Sequence, residues 1–357
     1  MSVYAEGWQS WTPPTRDGEA RGLLVTAAED GVRAYLRRDG GPVKAGEGEE
    51  IAAPDLESAL AAVGELLAPG PLRPVPPGWC SWSQYFHDVT ADDVIENVDA
   101  ALRLDLPVEI VQVDDGWQAG IGDWLDVDPR FGSLDEMVAR IDAAGMRAGI
   151  WVAPFLVGDG SRLAADHPDW LVPGADAGWN WGQSLGALDV SVPAAAEHLA
   201  HVFRTIAGWG FTYFKIDFLF AGALRDTDSY REGLRIIREA VGPDAIVLGC
   251  GAPIFPSIGF VDAMRIGPDV LPEPPDVQAD LGHVIRSTAA RRWMNGKLWI
   301  NDPDTLVARP EIAEREEWAA QLEAYGGLAF SSDRLATLDE RGLELTRRVL
   351  SSPQARP

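Results

Sequence analysis

Ionisable side chains stand at the ends of several short apolar runs in this sequence. Asp114 and Asp115 close one run, Asp217 closes a second, and Asp269 follows a third. Two carboxyl groups across a pocket can cleave a glycosidic bond, because one attacks the anomeric carbon while the other protonates the leaving oxygen. Paired aspartates also bind metal ions, so this spacing by itself leaves both kinds of chemistry open.

Lys215 and Asp217 are two positions apart in the same run. Side chains alternate between the two faces of a β-strand, so we expect both to lie on one face. A neighbouring ammonium lowers the pKa of a carboxyl group. We therefore expect Asp217 to have a lowered pKa and to stay ionised, which suits a nucleophile.

The elements that must position these residues repeat along the chain from about Val75. Eight β-rich runs alternate with helical stretches, which is typical of a parallel α/β sheet. A closed (β/α)8 TIM barrel explains eight strands better than an open doubly wound sheet, and no glycine-rich loop has the spacing of a nucleotide-binding motif. The runs lie at 78–82, 108–114, 147–153, 211–217, 245–250, 263–266, 298–301 and 328–331, and the helical stretches at 91–104, 134–144, 193–207, 228–241, 280–294, 311–324 and 338–350.

Residues 1–74 have a different pattern, with short alternating runs such as 32–36 and one helical stretch at 56–67. We predict a small, truncated β-rich N-terminal appendage and linker over 1–74, and a catalytic barrel over 75–357. Reactive groups of such a barrel lie at the C-terminal ends of its strands, where the aspartates above are found.

Composition restricts the partners of the protein. The formal net charge of -25 disfavours nucleic acid, anionic membranes and polyanionic substrates, so we expect a small neutral substrate. The 14 tryptophans suit stacking on sugar rings as well as core packing. The two cysteines are too few for a disulfide framework, and the sequence has no signal-peptide pattern and no apolar run of membrane-spanning length. We therefore expect a cytoplasmic protein. The sequence leaves a homo-oligomer open.

Nine motifs of this sequence resemble, in order, those of glycoside hydrolase family 36, the melibiase-like α-galactosidases. The resemblance runs from about Pro76 to Ser332, with one isolated N-terminal motif. The motifs lie at 7–11, 78–82, 113–118, 122–124, 149–155, 214–218, 249–253, 264–269 and 301–304. The family usually carries a large N-terminal β-sandwich and a C-terminal β-domain. Here about 75 residues precede the first barrel run, and the sequence stops soon after the eighth run and its helix. We therefore expect a reduced N-terminal domain and no C-terminal β-domain.

The resemblance implies a role for each residue of the site. Asp217 would be the nucleophile and Asp269 the acid/base. Asp114 and Asp115 would bind sugar hydroxyls, and Tyr85 would support the nucleophile. The remaining substrate-binding residues that it implies are Trp151, Lys215, Cys250, Arg265, Trp8 and Trp11.

The expected function is that of a retaining exo-α-galactosidase without cofactor or metal, acting on terminal α-galactosyl residues. Transglycosylation of the raffinose-synthase kind, α-N-acetylgalactosaminidase activity, a catalytically silent sugar-binding protein and a metal-dependent barrel hydrolase stay open. Asp302 and Asp304 can line the pocket or form a turn. His198 and His201 have a metal-ligand spacing, but a surface or packing role is the simpler interpretation.

Overall fold

The computed structural model of the chain describes residues 1–16, 18–270 and 277–352. Its N-terminal part is a four-stranded antiparallel sheet with the strands in chain order. A helix, Leu56–Leu67, follows the sheet, and the Asp55 side chain caps it by accepting from the Ser58 amide. The four strands are Ser2–Ala5, Leu23–Ala28, Gly31–Leu36 and Glu49–Ala53.

The main body is a sheet of eight parallel strands, numbered here 1 to 8 as barrel strands in chain order. The amide of Leu328, two residues before strand 8, donates to the Asn301 carbonyl of strand 7 at 2.7 Å, which connects the two ends of the sheet. The sheet therefore closes, and the predicted TIM-barrel fold is confirmed. The barrel strands are Gly78–Cys80, Ile110–Val113, Arg147–Val152, Tyr213–Ile216, Ile246–Gly249, Ala263–Arg265, Ile300–Asp302 and Phe330–Ser331.

Helices lie between most of these strands, close to the positions that periodicity predicts. Thr90 and Asp93 form a reciprocal capping box at the start of the first long helix. Between strands 5 and 6, residues 251–262 contain a short 3₁₀ turn, Phe255–Ser257, in place of a full helix. The helices of the barrel region are Trp82–Tyr85, Ala91–Arg103, Leu134–Ala143, Arg162–Asp166, Pro193–Gly208, Thr227–Val241, Val277–Arg291, Arg315–Tyr325 and Glu340–Leu350.

An excursion follows barrel strand 3, and the sequence did not predict it. It is a three-stranded antiparallel sheet made of Leu156–Gly158, Gln183–Ala187 and Trp179–Asn180. Its hairpin turn holds Trp181 with a φ of 50°, in the left-handed region. Asn180 precedes and Gly182 follows, and residues of these types favour such tight turns.

The barrel interior is filled by apolar side chains, which form a cluster separate from the larger core under the helices. In strand 4, Tyr213 belongs to the interior cluster, whereas Phe214 and Ile216 belong to the outer core. This alternation places Lys215 on the interior face, one layer closer to the mouth than Tyr213.

A buried ion pair attaches the N-terminal segment to the barrel. The guanidinium of Arg291 donates to Glu6 at 2.5 Å, and both side chains are fully buried. Arg291 also donates to the carbonyls of Ser10, Thr12 and Ile266. Because Ile266 directly follows barrel strand 6, this one side chain holds the segment around Trp8 and Trp11 beside the mouth.

Across the part of the chain that the structure describes, no helix combines the length and apolarity needed to span a membrane.

Candidate active site

Asp217 lies directly after barrel strand 4 and is buried. The indole of Trp151 donates to its Oδ2 at 2.9 Å, and the Phe218 amide donates to its Oδ1 at 2.7 Å. Lys215 Nζ is 3.9 Å from Oδ2, so the predicted shared face of Lys215 and Asp217 is confirmed. These three groups hold one carboxylate in a fixed orientation at the mouth.

The expected lowered pKa of Asp217 is wrong. Burial raises the pKa of Asp217, and Lys215 opposes this change without reversing it. The charge of Asp269 raises the pKa of Asp217 further, whereas hydrogen bonds from Trp151 and Cys250 lower it. Desolvation depends on the complete fold, so the spacing of two residues in sequence could not reveal its size.

Lys215 forms its closer ion pair with Asp114, which follows barrel strand 2. Its Nζ is 2.8 Å from Asp114 Oδ2, and both side chains are almost fully buried. Burial lowers the pKa of Lys215, but the charges of Asp114 and Asp217 outweigh burial and raise that pKa overall. Gln112 and Cys80 also donate to Asp114 Oδ2, at 2.6 and 3.4 Å. The Asp114 carboxylate is thus fixed below the mouth.

Asp115 is held by a different set of donors. Trp181 donates from its indole to Oδ2 at 2.7 Å, and Gln118 donates to Oδ1 at 2.6 Å. His87 Nδ1 lies 3.3 Å from Oδ2, and its hydrogen bond to Asp115 raises the pKa of His87. Trp181 comes from the excursion after strand 3, so this loop contacts a candidate sugar-binding carboxylate.

Arg265, on barrel strand 6, is surrounded by three carboxylates. It donates to Asp269 at 2.5 Å, to Asp302 at 3.0 Å and to Asp304 at 2.8 Å. The Asp269 side chain is 31% exposed, whereas those of Asp302 and Asp304 are almost fully buried. Asp269 is therefore the carboxyl group of this cluster that solvent or a ligand can reach most readily.

Aromatic rings form one side of the mouth around Asp217. Trp151 packs against Trp181, and Phe218 packs against both Trp181 and Trp11. The indole of Trp11 donates to the sulfur of Cys250 at 3.3 Å, so the N-terminal segment reaches the site.

Gly251 has a φ of 55°, and a Cβ there would lie 2.9 Å from the Trp11 ring. Only glycine leaves room for this approach. Trp8, which precedes Trp11 in the same segment, packs against Phe220 and Arg21.

The structure brings most of the sequence-predicted site residues together at the mouth of the barrel, but Tyr85 has a different neighbour. Its hydroxyl accepts from Asn97 Nδ2 at 2.8 Å, and its ring packs edge-on against Trp79. We therefore correct the expectation that Tyr85 supports the nucleophile. Tyr85 stands at the end of a short helix, whose direction the motif alone could not define.

Sequence reasoning did not identify Trp181 or Cys80 as site residues, and it left Asp302 and Asp304 undecided. The only sequence signal for Trp181 was the turn-forming Asn180 and Gly182 around it. Within the described residues, no group of three or more His, Cys, Asp or Glu side chains has an arrangement that could hold a metal ion. His198 packs against Trp170, and burial lowers the pKa of His198.

Comparison with known proteins supports the family resemblance. The family model described as Melibiase matches residues 73–230, which include Asp114, Asp115 and Asp217. The bifunctional α-galactosidase/sucrose kinase AgaSK of Mediterraneibacter gnavus is 32% identical over 100 residues, which are 26% of this chain and 10% of that protein. The resemblance to melibiase-like α-galactosidases that the sequence motifs indicated is thereby confirmed.

Solved structures extend the similarity over nearly the whole chain. TtGalA, an α-galactosidase from Thermus thermophilus in complex with p-nitrophenyl α-D-galactopyranoside, is 28% identical with a TM-score of 0.85, covering 98% of this chain and 86% of that one. The family 36 α-galactosidase AgaA of Geobacillus stearothermophilus has a TM-score of 0.71 at 14% identity, covering 98% of this chain and 57% of that one, and supports the fold alone.

The matches to curated relatives are partial. The aligned segments span 10% of AgaSK and 20% of AgaA of Geobacillus stearothermophilus.

Proposed function

We propose, from the Melibiase match over residues 73–230, that this chain is a retaining exo-α-galactosidase. One observation carries the proposal. A buried carboxylate, Asp217, is oriented by two N–H donors and is coupled electrostatically to a more exposed carboxyl group, Asp269. Retaining glycoside hydrolysis requires two such groups on either side of the scissile bond.

In the first step of the proposed reaction, an oxygen of Asp217 forms a bond to the anomeric carbon. The bond from that carbon to the leaving oxygen breaks, and the proton of Asp269 moves to that oxygen. In the second step, the Asp269 carboxylate takes a proton from water. The resulting hydroxide oxygen bonds to the anomeric carbon, and the ester to Asp217 breaks. Both carboxyl groups return to their initial protonation states.

Asp114 and Asp115 would bind hydroxyl groups of the terminal galactose. Each carboxylate already accepts a hydrogen bond from a protein side chain, Asp114 from Gln112 and Asp115 from Gln118. Sugar binding therefore costs little further side-chain entropy. A carboxylate that loses its hydroxyl partner in a buried site costs binding energy, which would separate galactose from sugars of other configuration. TtGalA structures with p-nitrophenyl α-galactoside and with stachyose support a neutral α-galactoside as substrate here.

The free, buried state of both cysteines, Cys80 and Cys250, suits a reducing compartment and supports a cytoplasmic location. No cofactor or metal takes part in the proposed steps.

Release of p-nitrophenol from p-nitrophenyl α-D-galactoside tests the proposal. The wild type should cleave it, Asp217→Ala should lose the activity, and azide should restore part of it by replacing the missing nucleophile. Asp228→Ala, in the exposed face of helix Thr227–Val241, is the matched control and should behave as wild type. An inactive but folded wild type would contradict the proposal and favour a silent sugar-binding protein.

The same assay separates the other activities that the sequence leaves open. A preference for the N-acetylgalactosamine derivative would indicate an α-N-acetylgalactosaminidase. Galactosyl transfer to an added sugar, at the expense of free galactose, would indicate a transglycosylase. Loss of activity with a chelator would indicate a metal-dependent hydrolase.

A further inference from the structure

The turn after barrel strand 7 has a backbone conformation that needs an explanation. Asp304 is buried, yet its φ is 88°, in the left-handed region that non-glycine residues seldom adopt. Backbone strain of this kind persists where the surrounding contacts hold it, and such sites cluster around active sites. The contacts of the Asp304 side chain therefore identify what this conformation serves.

Both oxygens of Asp304 accept hydrogen bonds from groups next to Asp269. Oδ2 accepts from the amide of Val270, the residue that follows Asp269, at 2.5 Å. Oδ1 accepts from Arg265 at 2.8 Å, and Arg265 in turn donates to Asp269 at 2.5 Å. Asp304 is thus connected to Asp269 by two routes, one through the backbone and one through a guanidinium.

Asp302 completes this arrangement. Its Oδ2 accepts from Arg265 Nε at 3.0 Å, and its Oδ1 accepts from the Asp304 amide at 2.9 Å. Arg265 and Asp302 are also paired in the register of strands 6 and 7. Each nitrogen of the planar guanidinium therefore donates to a different carboxylate. Nε donates to Asp302, Nη2 to Asp304 and Nη1 to Asp269.

We propose that Asp304, together with Asp302, is a positioning residue that fixes the acid/base Asp269 through Arg265 and through the Val270 amide. This inference rests on the proposed function, since it presumes that Asp269 delivers the proton. Asp304 need not touch substrate. Asp304 orients Asp269, which does touch the substrate. Burial and the neighbouring carboxylates raise the pKa of Asp304 to about 7, and the charge of Arg265 opposes this change.

The substitution Asp304→Asn tests the proposal with little change in shape. An amide has one accepting oxygen and one donating NH₂ group, so one of the two positions now held by Oδ1 and Oδ2 would present a donor to Arg265 or to the Val270 amide. Asp304→Glu keeps two accepting oxygens and serves as the conservative variant. The matched control is Asp333→Asn, because Asp333 is buried and likewise accepts from one amide, that of Ala308, and one guanidinium, that of Arg309.

Two substrates with different leaving groups distinguish a loss of Asp269 positioning from a general distortion of the site. Methanol is a poor leaving group that needs a proton, whereas p-nitrophenolate leaves with little help. For Asp304→Asn we expect kcat/KM to fall ~100-fold on methyl α-galactoside but less than ~5-fold on p-nitrophenyl α-galactoside, since the proton transfer alone is impaired. Asp304→Glu should recover part of the loss, and Asp333→Asn should change both substrates equally.

The outcomes are distinguishable. Equal losses on the two substrates, or a pattern identical to that of Asp333→Asn, would overturn the positioning role while leaving the proposed function intact. A wild type that cleaves neither galactoside would overturn both. If Asp304→Asn does not fold, Asp302→Asn provides the same test, because it disturbs Arg265 without removing the Val270 contact. It should show the same substrate dependence with a smaller loss.

Discussion

The indole of Trp151 and the carboxylate of Asp217 form a hydrogen bond across neighbouring barrel strands, at 2.9 Å from Nε1 to Oδ2. Trp151 is on strand 3 and Asp217 directly follows strand 4, and the register of these strands pairs Trp151 with Lys215. Asp217 is two positions after Lys215, so the long indole of Trp151 must extend one residue layer toward the mouth of the barrel to reach it. This contact favours the ionised form of a carboxyl group whose burial favours the neutral form.

The first prediction concerns the pH dependence of activity. Asp217 must be ionised to attack, and the Trp151 hydrogen bond lowers its pKa against the effect of burial. In Trp151→Phe the pKa of Asp217 should rise further, so the acidic limb of the kcat/KM profile should move to higher pH. A pH profile on p-nitrophenyl α-galactoside measures this shift.

A matched control for that variant is Trp299→Phe. Trp299 is also fully buried, but its indole donates to Asn301 at 3.0 Å and not to Asp217. Its acidic limb should stay at the wild-type position. An unchanged limb in Trp151→Phe, or an equal shift in the control, would show that the indole does not tune the nucleophile.

The second prediction concerns Trp181 in the excursion after strand 3. Trp181→Phe keeps an aromatic ring but removes the N–H that donates to Asp115 at 2.7 Å. Because a hydrogen bond to a charged group contributes roughly 1.5–3 kcal/mol, freeing this carboxylate should raise KM by about 10-fold or more. Steady-state kinetics on an α-galactoside measures the change.

Trp179 in the same excursion provides the control, since it is 72% exposed. Trp179→Phe should leave KM at the wild-type value. A normal KM in Trp181→Phe would mean that Asp115 is oriented without the excursion.

The third prediction concerns stability. Glu6 and Arg291 form a fully buried ion pair, and removing one partner leaves an uncompensated buried charge. Glu6→Gln should therefore lower the free energy of unfolding by about 3–5 kcal/mol. Chemical denaturation measures the loss.

Glu316 forms an exposed ion pair with Arg341. Glu316→Gln should cost less than about 1 kcal/mol, because exposed pairs are screened by solvent. Equal costs for the two substitutions would contradict the view that the N-terminal segment is fixed through the buried pair.

The sequence predicted the barrel and most of the site because both follow from local patterns. Apolar runs set the strands, and the C-terminal ends of parallel strands meet at one edge, so Asp114, Asp217 and Asp269 had to lie near one another. Alternation along strand 4 likewise placed Lys215 beside Asp217, as the 3.9 Å separation confirms.

The remainder depends on tertiary contacts that no local pattern encodes. Trp181 reaches Asp115 only because an unpredicted hairpin folds back over the mouth. Asp304 joins the site through a turn with positive φ, which in sequence looks like an ordinary Asp-Pro-Asp turn. The raised pKa of Asp217 results from burial by many residues, and the position of Tyr85 results from its bond to Asn97.

The most direct test of the central claim is the anomeric configuration of the first galactose released. Proton NMR would follow the hydrolysis of p-nitrophenyl α-galactoside before mutarotation equilibrates the product. Double displacement through Asp217 predicts that α-galactose forms first, because two inversions restore the configuration. If β-galactose formed first, the water would attack directly, and the assignment of Asp217 as a covalent nucleophile would be wrong.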